Sequence, residues 1–368
     1  MGPTIAEIYH ENLIHNLNLI RTNLPGVKVM AIVKANAYGH GDIEISRTLR
    51  DNNIDYFGVA FPEEGIKLRD AGIKTPILVL GAQLSEYFKD HLQYNLDISI
   101  ADPYQIPLLK DACRKADKKA NVHIKIDTGM NCVGFSHKNF FKCADKIFDE
   151  PYFNVTGIYT HFSSADEENL SFTMLQLKRF NEIQKAIKPK YPDILFHTAN
   201  SAAVMQVPQS HLDMVRPGTM LYGNPPDPDF KLSWNLKEVM RFVSKVSLIR
   251  ELEKDAAVSY NRKYIAKKKM KAALIAAGYA DGFNRYLSNR GEVLIQGHRY
   301  KVIGNVCMDR FLVDIKNNPA IKIGDEVTLF GKQVDDHIRI ADVARQIGSI
   351  PYDITCQVSK RVQRIHIY

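Results

Sequence analysis

Lys34 is the first residue whose surroundings suggest chemistry. It closes an apolar run in Val33-Lys34-Ala35-Asn36-Ala37-Tyr38-Gly39-His40-Gly41. A lysine there is drawn towards a partly desolvated site, where its pKa falls from about 10.4 and its lone pair is freed to attack a carbonyl. The small residues and glycines leave room for a bulky planar group, which weighs against a lysine merely snorkelling from a strand end. A second element is Arg216-Pro217-Gly218-Thr219, where Gly218 and Thr219 offer backbone N–H groups after a short apolar run, with Asn200-Ser201 in the loop before it. Amides so placed suit a phosphate. A reactive lysine on one side and a phosphate cradle on the other point to a phosphorylated aldehyde cofactor.

These groups need a scaffold, and the hydrophobic pattern supplies one. Short β-branched runs at Val27–Val33, Tyr56–Ala60, Ile77–Leu80, Leu96–Ile100, Val122–Ile126, Val155–Thr160, Ile194–His197 and Met214–Val215 read as strands. Between them lie helical patterns such as Glu11–Thr22, Ile43–Asp51, Pro62–Ala71, Pro103–Lys115 (with Asp102 as its N-cap) and Asn169–Ile187. Eight strands alternating with helices predict an α/β fold, an N-terminal (β/α)8 TIM barrel, whose catalytic groups sit where strands end. Lys34, Asp127-Thr128-Gly129, His161, Asn200-Ser201 and Arg216 all follow strands. After Asn224-Pro225-Pro226-Asp227-Pro228 the helical alternation stops, and strands at Val243–Arg250, Ala272–Ala276, Gly291–Ile295, Tyr300–Val306, Phe311–Ile315 and Asp325–Leu329 predict a mostly β C-terminal domain with a short helix at Ile340–Gln346. The division is placed at 1–233 and 234–368.

Composition removes other classes. The chain of 368 residues carries 49 basic and 41 acidic side chains, a balance of +8 spread along its length, with no nucleic-acid-binding signature. No apolar run approaches the roughly 18 residues of a membrane span, and no basic-then-apolar leader opens the sequence, so a cytoplasmic location without nucleic-acid or membrane partners is expected. Five scattered cysteines without a CxxC argue against a disulfide framework or a zinc ribbon, and no metal site is expected.

The lysine motif Lys34-Ala-Asn-Ala-Tyr-Gly-His-Gly resembles the pyridoxal-phosphate attachment motif of alanine racemases. The likeness extends through Asp127-Thr-Gly-Met, Tyr159-Thr-His-Phe, His197-Thr-Ala-Asn-Ser, Arg216-Pro-Gly, Ser259-Tyr260, Gly278-Tyr-Ala-Asp-Gly, Cys307-Met-Asp and Tyr352. It implies a homodimer with composite active sites that interconverts L- and D-alanine by two-base proton transfer, supplying D-alanine for peptidoglycan. Lys34 and Tyr260 would be the bases, Tyr260 coming from the partner subunit. The cofactor, pyridoxal 5'-phosphate, would be bound through Lys34, Tyr38, His161, Asn200, Ser201, Arg216, Gly218, Thr219 and Tyr352. Arg216 would face the pyridine nitrogen in a network Tyr260–His161–Arg216; a guanidinium does not surrender its proton, so the electron sink is weakened and transamination disfavoured. Met308, through its backbone N–H, with Lys125, Cys132, Tyr279 and Arg285, would face the substrate.

The chain departs from the family pattern at Cys132, where an arginine is usual beside a carbamylated lysine at the position of Lys125. A carbamate there without the arginine would add negative charge beside negative groups, so Lys125 is expected to remain an ammonium that replaces the missing charge. Asn261 stands where glycine is usual, and Asn305 where many members have an entry-channel arginine. The alternatives are a broader or serine-type racemase of the same fold and a pyridoxal-phosphate homeostasis protein; Tyr260 on a second domain disfavours the latter. A decarboxylase would want a carboxylate where Arg216 stands.

Overall fold

The computed structural model describes residues 2–368, which form two compact units. One comprises Leu17–Ala37 and Asp42–Leu221; the other takes the segment up to Asn16, Tyr38–Gly41 and Tyr222–Tyr368. The packing therefore changes over at Tyr222 rather than at the expected 233/234, and the start of the chain joins the second unit.

The first unit is a nearly closed parallel barrel of eight strands: Lys28–Ile32, Tyr56–Val59, Ile77–Val79, Asp97–Ile100, Ala120–Asp127, Phe153–Tyr159, Leu195–His197 and Met214–Val215. The eighth pairs with the first, Met214 opposite Lys28, and Arg216 N–H donates to Ala199 C=O at 2.9 Å on the seventh-strand side. Tyr56–Val59 and Asp97–Ile100 are buried at every position. Helices cover the outside and side chains fill the inside, so these strands read as apolar runs rather than alternations. All eight fall where expected, their ends moved by two residues at most. Helix Ser171–Ile187 shows the outer layer at work. It buries Phe180, Ile183 and Ile187 in a cluster with Ile158 and Phe196 of strands six and seven, each such side chain contributing about 1.5–3 kcal/mol.

One local expectation changes, and one local feature is new. The helix after strand four begins at Gln105, not Pro103, because Asp102 uses its carboxylate on Tyr104 N–H and its carbonyl on Gln105 N–H in a preceding turn. Lys34 follows the first strand as expected, and it opens a left-handed turn that the sequence did not announce: Ala35, Asn36 and Ala37 have φ of 53°, 56° and 52°. Left-handed backbone costs roughly 1–2 kcal/mol per L-residue, and neighbouring groups hold it. Glu64 accepts the Ala35 N–H at 2.6 Å, and Asn36 Oδ1 accepts from Asp42 N–H.

In the second unit six strands close on themselves: Met240–Leu252, Met270–Ile275, Phe311–Asp314, His298–Ile303, Glu292–Ile295 and Glu326–Gln333, which returns to Met240–Leu252. Every pairing in this ring is antiparallel, and closure removes the exposed edges. Ile5–Tyr9, absent from the sequence expectation, inserts between Met240–Leu252 and the final strand Gln363–Ile367. A helix at Ile340–Ile347 matches the expected one. No described helix is long and apolar enough to cross a membrane.

Burial makes the barrel acid-sensitive. His91, 1% exposed, is pushed down to about 4 by desolvation. The unfolded chain binds this proton below about 6.5 while the fold refuses it until about 4, so stability is lost as pH falls through that window. His91→Phe should reduce the fall in unfolding free energy between pH 7 and 4.5 by up to roughly 3 kcal/mol. Equal slopes in variant and wild type, followed by denaturant titration, would exclude His91 as a source.

Candidate active site

At the strand ends of the barrel unit, Arg216 is the most constrained side chain. It is 4% exposed. Its Nη1 donates to the His197 carbonyl at 2.9 Å and to His197 Nδ1 at 3.0 Å. Its Nη2 donates to the Thr160 and Thr198 carbonyls at 2.6 and 3.0 Å and lies 3.4 Å from His161 Nδ1. Among the described residues, its Nε–H has no acceptor. Tyr159, from strand six, lies beneath it with the guanidinium carbon 5.3 Å from the ring centre.

Three cations converge here without a carboxylate in ion-pair reach among the described residues: Lys34, Lys125 and Arg216. Lys125 projects from strand five over the same Tyr159 ring, 5.3 Å from its centre. Burial, then Arg216, push its pKa down to about 8, with Lys34 adding a smaller push the same way. His161 is driven to about 3, first by desolvation and then by Arg216, Lys125 and Lys34. It is therefore neutral, and Nδ1 faces the donor-only guanidinium, so its proton sits on Nε2. The expected Arg216–His161 link is present. Cys132 is exposed, and Lys125 is the amine that burial perturbs.

The proposed phosphate residues of this unit are also joined. Ser201 Oγ accepts from Gly218 N–H at 2.9 Å and from Met220 N–H at 3.4 Å, leaving its own proton free to donate outward. Thr219 is buried at the start of a 3-10 turn, Thr219–Tyr222. Asn200 does a different job: its Oδ1 caps helix Ser201–Gln206 by accepting from Ala203 N–H.

In the β unit, Tyr38 and Tyr352 meet edge to face at 6.0 Å. Burial, then Cys356 and Tyr352, push the Tyr38 phenol well up, so it stays a donor. Tyr260 is 70% exposed and stands between Ser259 and Asn261, at φ of 64° and 60°; asparagine is among the residues that tolerate such a backbone. Asn305 Nδ2 donates to the Tyr260 carbonyl, and Ser259 Oγ to the Asn305 carbonyl. Tyr279 and Ala280 N–H donate to the Cys307 and Met308 carbonyls. Gly278 permits that approach: a Cβ there would lie 2.2 Å from the Met308 oxygen. Arg285 sits on an exposed 3-10 turn. A cleft of about 980 Å3 in this unit, lined by Phe230, Trp234, His337 and Arg339, contains none of these residues.

Four groups in the barrel interior were given no role from the sequence: Tyr56, Asp97, His123 and His197. The alternation His123-x-Lys125-x-Asp127 was the available signal, since period two puts all three on one face of strand five.

A barrel unit with a cationic mouth and a separate β unit bearing an exposed tyrosine define a two-unit barrel protein whose barrel can hold an anion. The alanine racemase N-terminal domain family matches residues 8–226 and the C-terminal domain family residues 239–366. The chain is 38% identical to an alanine racemase of Carboxydothermus hydrogenoformans, covering 100% of both. It is 36% identical to alanine racemase 2 of Caldanaerobacter subterraneus, covering 100% of this chain and 95% of the other. Among solved structures, an alanine racemase of Clostridium difficile superposes with a TM-score of 0.94 at 34% identity, covering 100% and 96%. The chain belongs to the alanine racemase family, a pyridoxal-phosphate-dependent family of isomerases.

Removing the Arg216 guanidinium strands the buried Thr160 and Thr198 carbonyls, whereas that of His197 still accepts from Thr160 N–H. Arg216→Ala should cost about 2 kcal/mol or more of unfolding free energy at about 1–3 kcal/mol per unsatisfied group, with Arg216→Lys in between. Wild-type stability in Arg216→Ala would show that these bonds are not holding the strand ends.

Proposed function

We propose that this chain interconverts L- and D-alanine by two-base proton transfer, supplying D-alanine for cell-wall peptide in the cytoplasm. Pyridoxal 5'-phosphate would be held by Lys34 at its aldehyde carbon, by Ser201, Gly218, Thr219, Tyr38 and Tyr352 at its phosphate, and by Arg216 at its ring nitrogen. The observation that carries this reading is the barrel mouth's three cations without carboxylates, together with Arg216 Nε–H and the Ser201 hydroxyl proton, both lacking acceptors among the described residues. That donor set fits a dianionic phosphate and a carboxylate-bearing substrate. When bound, the cofactor supplies the electron sink for the charge left at Cα as its proton departs.

The residues then divide the work. Lys34 Nζ takes or returns the α-proton on the D-face, and Tyr260 Oη of a second copy does so on the L-face. Neutral His161 can accept a hydrogen bond only away from its Nε2–H, so it passes no positive charge towards a phenol. Arg216, bound to three carbonyls, stays a donor and leaves a ring nitrogen unprotonated. The backbone N–H of Met308 orients the substrate carboxylate, and Tyr279 and Arg285 line its approach.

Exposure supports the homodimer. Phe61, Leu84, Tyr104 and Met130, 61%, 65%, 70% and 44% exposed, follow the ends of barrel strands two to five; Tyr260, Tyr286 and Met308 are 70%, 73% and 53% exposed on the β unit. Apolar surfaces of this kind mark association. Lys34→Ala and Tyr260→Phe should each lose turnover. Mixed after dissociation and reassociation, they should recover about a quarter of wild-type activity, since half of randomly paired dimers regain one of two sites. No recovery in dimers shown to be mixed would refute the composite site.

Lys125 is read as an ammonium that faces the substrate carboxylate in place of the guanidinium lost at Cys132. Lys125→Met should raise KM for alanine about tenfold or more, and labelled bicarbonate should leave no carbamate signal by NMR. A carbamate on Lys125 would overturn this assignment. Cys132 also favours a second reading, a broader or serine-accepting racemase; α-proton exchange in deuterium oxide across a panel of amino acids separates the two.

A further inference from the structure

Tyr56, Asp97, His123 and His197 are 8%, 3%, 0% and 0% exposed. Barrel interiors are ordinarily filled by branched aliphatic side chains, and each polar group buried there carries a desolvation cost. These four are not scattered. Tyr56 Oη donates to Asp97 Oδ2 at 2.5 Å, and Asn121 Nδ2 reaches the other Asp97 oxygen at 3.3 Å. His123 Nε2 lies 3.7 Å from Asp97 Oδ2 and 3.5 Å from Tyr56 Oη. Its Nδ1 is 2.9 Å from His197 Nε2, and His197 Nδ1 meets Arg216 Nη1 at 3.0 Å. The groups form a single file from a carboxylate in the barrel to the guanidinium at its mouth.

The file has a direction. Arg216 can only donate, so His197 Nδ1 must offer a lone pair. Neutral His197 then carries its proton on Nε2 and donates to His123 Nδ1. His123 in turn carries its proton on Nε2, which points at Asp97 and Tyr56. Every proton along the line is turned away from Arg216. The surroundings hold this arrangement: Tyr159 stacks on His197 at 5.0 Å and 6°, and its Oη is tied to Ser99 at 2.7 Å. Gly157 makes room for His123, because a Cβ there would lie 2.2 Å from Nδ1.

We propose that Asp97 and His123 are positioning residues for Arg216, acting through His197 to fix where its guanidinium points and how strongly it donates at the barrel mouth. Neither touches substrate or cofactor. Chains of hydrogen bonds in a low dielectric polarise one another, so the carboxylate makes the His197 lone pair a better acceptor and commits Nη1 to it. The Nε–H is thereby left facing the mouth. The catalytic consequence rests on the racemase reading above; the order of the protons does not.

The test uses full-length, cofactor-loaded protein with nitrogen-15 histidine. Wild type should show His197 and His123 both protonated on Nε2 and bare on Nδ1, and Asp97→Asn should shift the His197 resonances although the residues do not touch. Gly157→Ala, which displaces the His123 ring without changing its charge, should shift them too. In kinetics, Asp97→Asn and His197→Asn should each lower kcat about tenfold, in the range known for residues that orient a ligating group, with KM for alanine changed less. The double variant should be no worse than the poorer single one. A proton on His197 Nδ1, His197 resonances unmoved in Asp97→Asn, or losses that multiply to about a hundredfold would overturn the proposal. Should wild type not racemise alanine, the functional reading falls while the nitrogen spectra still decide the order of the chain.

Discussion

The three carbonyl bonds of Arg216 are the constraint on which the barrel's upper end depends. Thr160, His197 and Thr198 lie at or just beyond strands six and seven, and Arg216 itself follows strand eight. Strand eight is only Met214–Val215, and strand seven Leu195–His197. Strands this short have few ladder bonds of their own, so a buried guanidinium does what a longer sheet would do elsewhere. The same fixation sets its chemistry: with Nη1 and Nη2 committed to backbone, only Nε–H remains to face a ligand.

The cations gathered around Arg216 follow from that commitment. A guanidinium satisfied by carbonyls keeps its full charge, and that charge, with burial, presses Lys125 and His161 towards neutrality. The mouth is a place where positive charge is held in excess, and it favours an anion over any neutral occupant. The strained turn after Lys34 belongs to the same economy. Left-handed backbone at Ala35–Ala37 survives because Glu64 and Asn36 bind it, consistent with strain collecting where function requires a fixed backbone.

Much of this was legible in the sequence, for physical reasons. Barrel strands covered on both faces must be apolar runs, so Tyr56–Val59 and Ile77–Val79 announce themselves. The polar and ionisable residues that follow strands five to eight lie where barrel chemistry must be. The left-handed turn was hidden because alanine has no preference for that backbone; only tertiary bonds to Glu64 impose it. Ile5–Tyr9 was missed because a single short strand has meaning only through partners more than two hundred residues away. His123 and Asp97 read as ordinary polar residues until strand pairing stacked them inside one barrel. Asp102 showed a genuine capping residue capping a turn instead of the helix.

The pairing of Ile5–Tyr9 with Gln363–Ile367 has a consequence for how the protein is made. Ile5–Tyr9 leaves the ribosome long before its neighbour Gln363–Ile367 has been translated. At about 5–20 residues per second the wait is tens of seconds. The barrel residues, Leu17–Ala37 and Asp42–Leu221, emerge during that interval and can fold while the strand before them is still without either partner. Ile5–Tyr9 carries alternating buried positions and unsatisfied backbone throughout that time. It is the segment of the nascent chain that a chaperone would have most reason to hold.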